Sequence, residues 1–168
     1  MDINRKELFI EYIKENQENF YRLVYSYVNN PDTTLDLIQE SIILGLKNIE
    51  KLKEPQYIKT WFYRILVNTC LSYLRKNKKL PQFEVLCDNI QDRDNCFDEV
   101  KRKEILDIIS TLDPELKTIV FLKFYEEMTF LEISKVTKVN VNTIKSRLYK
   151  ALSILEDKLV DYNDESRC

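Results

Sequence analysis

Histidine is absent from the 168-residue sequence. Its absence removes Ser-His-Asp and Cys-His catalysis, imidazole metal ligation and imidazole pH switching. Glycine occurs once, as Gly45, and proline four times, so the backbone has almost no cheap left-handed positions. Tight hairpins, glycine-rich phosphate loops and dinucleotide fingerprints need such positions and are excluded. The four cysteines, Cys70, Cys87, Cys96 and Cys168, contain no CxxC pair, and their spacing suggests no zinc site. They are expected to be free thiols in a reducing cytoplasm, with a redox pair between the nearby Cys87 and Cys96 left open. The longest apolar run is about five residues, at 42–46, against the ~18–20 a spanning helix needs. The opening MDINRKELF lacks the apolar segment of a signal peptide. The expectation is a cytoplasmic protein with no membrane insertion.

A 44% hydrophobic content can build a core, and 32% charged residues argue for a folded, soluble chain. The net charge of −2 hides a pattern. Residues 55–83 contain no acid but six bases, Lys59, Arg64, Arg75, Lys76, Lys78 and Lys79. Residues 133–155 again contain no acid, with five bases: Lys135, Lys138, Lys145, Arg147 and Lys150. Between them, residues 80–112 carry eight acids against four bases. Two basic blocks flanking an acidic bridge read as two polyanion contacts held apart by a spacer.

Apolar spacing is helical throughout, and no stretch alternates as a strand would. One long helix is expected from Asn4 to Val28, stopped at Asn29-Asn30-Pro31. Thr33 is expected to open the next helix, with Leu35, Ile38, Ile42, Leu46 and Ile49 on its buried face. A third helix, 56–77, would turn Ile58, Phe62, Ile65, Leu66, Thr69 and Tyr73 inward. Beyond a linker, a helix from Phe97 to Leu112 would pack through Val100, Ile105, Ile108 and Ile109. Asp113-Pro114 opens another helix, ending near Tyr125. Thr129 and Glu132 form a capping box for a short helix over 130–137. Asn140 then caps a last helix with Val141, Ile144, Leu148, Leu152, Leu155 and Leu159 inside. The predicted fold is all-α: two small helical modules, 1–79 and 97–160, a flexible acidic linker at 80–96 and a tail at 161–168. Each module is small enough that packing on a partner is expected.

Three constellations carry function. A short capped helix, a tight turn and a basic helix at 129–155 make a helix-turn-helix layout. It leaves Asn142, Thr143, Lys145, Ser146, Arg147, Tyr149 and Lys150 on or near the outer face. Arg147 suits a guanine edge, while Lys145 and Lys150 suit phosphates. The segment YIKTWFYRILVNTCLSYLRKNKK, 57–79, interleaves Tyr57, Trp61, Phe62, Tyr63 and Tyr73 with Lys59, Arg64, Asn68 and Arg75. Aromatic platforms among cations suit unstacked single-stranded bases, although Phe62 and Tyr73 fall at core spacing. Asp36, Gln39 and Glu40 share one side of a helix at i, i+3, i+4, a polar docking surface for a protein.

Together these segments resemble the sigma factors of bacterial RNA polymerase, of the sigma-70 family and its extracytoplasmic-function (ECF) group. Asp36-Leu37-Ile38-Gln39-Glu40 resembles that family's D-x-x-Q-E motif, and Thr60-Trp61-Phe62-Tyr63-Arg64 its T-W-x-x-R segment. Leu112-Asp113-Pro114-Glu115 resembles the start of sigma region four, with Thr129–Ile133 and Asn142–Arg147 resembling its helix-turn-helix signatures. Two of that family's usual glycines are replaced here by Lys138 and Asn142, and its usual alanine by Ser134. The resemblance implies a promoter-specificity subunit with no catalytic centre and no cofactor. Asp36, Gln39 and Glu40 would dock on the β′ clamp helices of core polymerase. Tyr57, Lys59, Trp61, Tyr63, Arg64, Asn68 and Arg75 would contact the −10 element. Asn142, Thr143, Lys145, Ser146, Arg147, Tyr149 and Lys150 would contact the −35 element, with the β-flap as a further partner and room for an anti-sigma factor. The competing reading is a free-standing helix-turn-helix regulator that binds duplex DNA alone.

Overall fold

The computed structural model describes residues 4–78 and 104–165. The expected linker at 80–96, the start of the expected helix at Phe97, Val100, and Cys87, Cys96 and Cys168 lie outside the described residues. The described residues are helical and contain no strand. They run α1 (Arg5–Glu15), α2 (Gln17–Val28), α3 (Pro31–Asn48), two single turns of 3₁₀ helix at Ile49–Lys51 and Pro55–Tyr57, and α4 (Ile58–Lys76). Residues 104–110 form α5. Then follow α6 (Pro114–Phe124), α7 (Phe130–Thr137) and α8 (Val141–Glu165). No helix among them is long and apolar enough to cross a membrane.

Local chemistry sets most boundaries. The expected single helix over 4–28 is two, broken at Asn16. Its Nδ2 donates to the Tyr12 carbonyl at 2.8 Å and its backbone N–H to the Ile13 carbonyl, so α1 is closed off before α2 begins. Asn29 ends α2 in the left-handed region at φ 50°. Asn30, not Thr33, caps α3: its side chain accepts from the Thr33 amide at 2.9 Å, and Pro31 takes the first helical position, where a missing N–H costs nothing. The capping box at α7 is present in both directions, with Thr129 accepting from the Glu132 amide and Glu132 from the Thr129 amide. α8 runs through the expected tail boundary to Glu165.

The buried face of α3 differs in part from expectation: Ile49, just past its end, is buried and Ile38 and Ile42 pack against the core, but Leu35 and Leu46 do not. Thr34, Leu37, Ser41 and Gly45 face inward, while Leu35, Ile43, Leu44 and Leu46 are exposed. The hydroxyls of Thr34 and Ser41 are satisfied by the Asn30 and Leu37 carbonyls of their own helix, so this small-residue face can be buried at no hydrogen-bond cost. Gly45 permits the close approach, since a Cβ there would lie 2.5 Å from Cζ of Phe9. Ile105, Leu152 and Leu159, expected inside, are also exposed.

Phe9, Phe20, Phe62 and Tyr63 knit the N-terminal module through edge-on ring contacts 5.0–5.5 Å apart. α6 is the hub of the other half, with every residue from Leu116 to Leu122 buried, Lys117 and Thr118 included. The two halves do not stand apart: their buried side chains form one continuous core, with α7 packed on α4 and α6 on α2. The partner that each small module needs is therefore the other module.

Candidate nucleic-acid and docking interfaces

Asp36, Gln39 and Glu40 are all exposed on the outer side of α3, beside the exposed Leu35 and Ile43. A polar triad bordered by apolar side chains is the composition of a protein-docking face.

On α4 the expected contact residues divide. Arg64, Asn68 and Arg75 are exposed, and Tyr57, in the turn before α4, is 46% exposed with the Lys135 ammonium 5.3 Å from its ring centre. Arg75 donates to the Ser72 hydroxyl at 3.3 Å. Trp61 is half-buried and meets Phe9 edge-on at 5.7 Å. Tyr63 is no surface platform in this arrangement: it is fully buried, packed 5.5 Å from Phe20. Its place two residues after Trp61 turns it inward on the helix, which aromatic content alone did not reveal. Lys59 is engaged: its Nζ donates to the Glu126 carbonyl at 2.7 Å and lies 3.5 Å from the Glu126 carboxylate.

The helix-turn-helix is built as expected, with an unusual turn. Lys138 ends α7 in the left-handed region at φ 60°, where glycine would be unstrained. The Ser134 hydroxyl donates to the Val139 carbonyl at 2.7 Å and braces that turn. Asn140 caps α8 by accepting from the Asn142 amide at 2.8 Å. Asn142, Thr143, Lys145, Ser146, Tyr149 and Lys150 are exposed, so the outer face of α8 is available to a groove. Arg147 is not turned outward with them: it pairs with Glu115 of α6 at 3.1 Å and lines a small cleft with Asn68 of α4.

Sequence reasoning missed three residues at the junction of the modules. Lys117, buried on α6, donates to the Ser26 carbonyl of α2 at 2.6 Å, and desolvation brings its pKa down to about 8. Glu126, in the loop between α6 and α7, has a side chain 3% exposed. Thr118 is hydrogen-bonded to the Tyr27 hydroxyl. No periodicity marks a buried charge, and Glu126 falls in the gap between two expected helices. Cys70 is a buried free thiol, pushed up to about 12 by burial and by the nearby Glu40 charge, and is therefore inert.

Comparison with known proteins bears on both halves. Residues 12–80 match the family model of sigma-70 region 2, and residues 102–155 that of sigma-70 region 4. An RNA polymerase sigma factor of Bacillus subtilis, SigV, is 37% identical over 154 residues, covering 92% of each chain. The ECF RNA polymerase sigma-E factor of Haemophilus influenzae is 27% identical over 168 residues, covering 92% of this chain and 88% of that one. Among solved structures, the sigma factor RpoE of Bartonella quintana, in complex with the anti-sigma factor NepR, overlays with a TM-score of 0.69 at 17% identity, covering 89% of this chain and 96% of that one. CnrH, in complex with the cytosolic domain of CnrY, overlays with a TM-score of 0.67 at 14% identity, over 91% and 88%. A region 2 half joined to a region 4 half decides against the free-standing regulator, and the chain belongs to the ECF group of the sigma-70 family of RNA polymerase sigma factors.

Proposed function

We propose how this sigma factor, which directs core RNA polymerase to specific promoters and starts transcription, divides that work among its residues. The N-terminal module, residues 1–79, docks on the β′ clamp helices through Asp36, Gln39 and Glu40. Tyr57, Lys59, Trp61, Arg64, Asn68 and Arg75 then take up the −10 strand. The C-terminal module, residues 97–160, places Asn142, Thr143, Lys145, Ser146, Tyr149 and Lys150 in the −35 major groove, joined by Arg147 once it leaves Glu115. Two weak DNA contacts tethered to one large machine gain strength from effective concentration, so neither basic face need be extensive. Transcription places the protein in the cytoplasm. An anti-sigma factor, such as the one bound to the Bartonella quintana relative, would be a further partner.

The observation that carries this reading is the exposed face of α3, where three polar side chains in the D-x-x-Q-E spacing sit among unburied leucine and isoleucine. Asp36→Ala combined with Gln39→Ala is expected to weaken co-purification with core polymerase roughly tenfold while leaving helix content unchanged. Undiminished binding would refute the docking assignment.

A further inference from the structure

Among the described residues, three buried oxygens have no hydrogen-bond partner: Glu126 Oε1 and the hydroxyls of Tyr12 and Tyr63. They come from α1, α4 and the loop between α6 and α7, yet they share one neighbourhood. Lys59 and Tyr63 stand one turn apart on α4, and Lys59 holds Glu126 twice, by its carbonyl at 2.7 Å and its carboxylate at 3.5 Å. The Tyr12 and Tyr63 rings both rest on Phe20, 5.8 and 5.5 Å from its centre. Burial and then the Glu126 charge raise both phenols above their ordinary range, so each keeps its proton and is a donor close to a carboxylate.

Folded interiors rarely leave such groups unmatched, because a buried polar atom without a partner forfeits its bond to solvent. The mismatch here has a definite sense. Two O–H donors and one carboxylate oxygen lie together, and none of the three closes a bond on another. The complementary group must accept twice and donate at least once. A water molecule does so in three bonds, the usual number for a buried water. A metal cation does not: it would take the phenol oxygens as ligands and leave their protons without an acceptor, beside an ammonium that already pairs with the carboxylate. An anion would face the Glu126 charge.

We infer that Tyr12, Tyr63 and Glu126 form a binding site for one buried water molecule, which accepts from both phenols and donates to Glu126 Oε1. Glu126 Oε2 is left to Lys59, so each carboxylate oxygen has its own partner and the rotation of the carboxylate is fixed. The water ties α1 and α4 to the loop that enters α7. It supplies the hydrogen bond that a buried charge needs beyond its ion pair.

Two experiments on the full chain test the site. A crystal structure that resolves ordered solvent is expected to show a density peak about 2.6–3.2 Å from all three oxygens. Distances of about 2.4 Å would mark a cation and overturn the assignment. A Tyr63 hydroxyl bonded directly to Glu126, with no peak between them, would overturn it as well. In the second experiment Tyr12→Phe, Tyr63→Phe and the double variant are unfolded in urea, after their helix content has been compared with wild type. Phenylalanine removes only the hydroxyl. Were the hydroxyls simply unmatched, removing them would leave stability unchanged or raise it, and either result overturns the site. With a shared water, each single variant is expected to lower the folded-to-unfolded ratio about fivefold. The double variant is expected to lower it by clearly less than the product of the two, because the first loss already weakens the hold on the water. Strict additivity overturns the shared site, as does a loss in Tyr63→Phe with none in Tyr12→Phe. Should a variant lose helix content, the crystal structure decides.

Discussion

At Lys138 a residue with a Cβ holds φ 60°, a conformation that costs about 1–2 kcal/mol relative to the right-handed region. Ser134 offsets part of that cost through its bond to the Val139 carbonyl on the far side of the turn. Lys138→Gly is expected to raise stability by about 1 kcal/mol, and Ser134→Ala to lower it by a similar amount, both read from urea unfolding at constant m. A less stable Lys138→Gly would mean that the lysine side chain contributes more than its backbone costs. The strained turn was legible in the sequence, because the helix-turn-helix pattern expects glycine where lysine stands. The brace was not: a hydroxyl reaching five residues onward depends on how the turn folds, and Ser134 in isolation looks like a small helical residue.

Among elements, α3 shows where periodicity misleads. Residues 34–49 carry two stripes at helical spacing, one of bulky apolar side chains and one of Thr34, Leu37, Ser41 and Gly45. Size and hydropathy favour the first, but Gly45 lies against the Phe9 ring, so the second stripe makes the close approach to the aromatic cluster around Phe9 and Phe62. Leu35, Ile43, Leu44 and Leu46 are left outside, where they border the proposed polymerase contact, while Ile38 and Ile42 pack at the edge of the core and Ile49 is buried. Gly45→Ala therefore sets a gain in helix propensity of about 1 kcal/mol against overpacking of about 1–3 kcal/mol at the Phe9 ring, for an expected net loss of about 1 kcal/mol. Combining it with Phe9→Leu in a double-mutant cycle is expected to cost less than the sum of the single changes, and strict additivity would show that the two side chains do not compete for the same space. Caps were read better than faces. The Thr129–Glu132 box is a local hydrogen-bond pattern written in four consecutive residues, whereas which face of α3 is buried is decided by distant aromatic side chains.

Across the whole molecule the two halves share one core, and the sequence did not disclose it because each half reads as a module with its own apolar stripe. Lys117 is the clearest sign of the merger, since its charge is desolvated between α6 and α2. Its folded pKa of about 8 lies below the ordinary lysine value of 10.5. Below pH 8 both folded and unfolded chains carry the proton and the full burial penalty is present. Between about 8 and 10.5 the unfolded chain binds more protons than the folded one, so stability due to this group rises with pH, by about 1 kcal/mol between pH 8 and 9. Opposing groups act later. Cys70, raised to about 12, and the buried Tyr12, Tyr27 and Tyr63, raised above their ordinary value, stay protonated in the folded chain after their unfolded counterparts ionise, so stability falls as pH passes about 9 and then 10. The wild-type chain is thus expected to show a stability maximum near pH 9 in denaturant titrations across the alkaline range. Lys117→Met removes the ascending limb and keeps the descending one, and an unchanged ascending limb would place that titration on some other group.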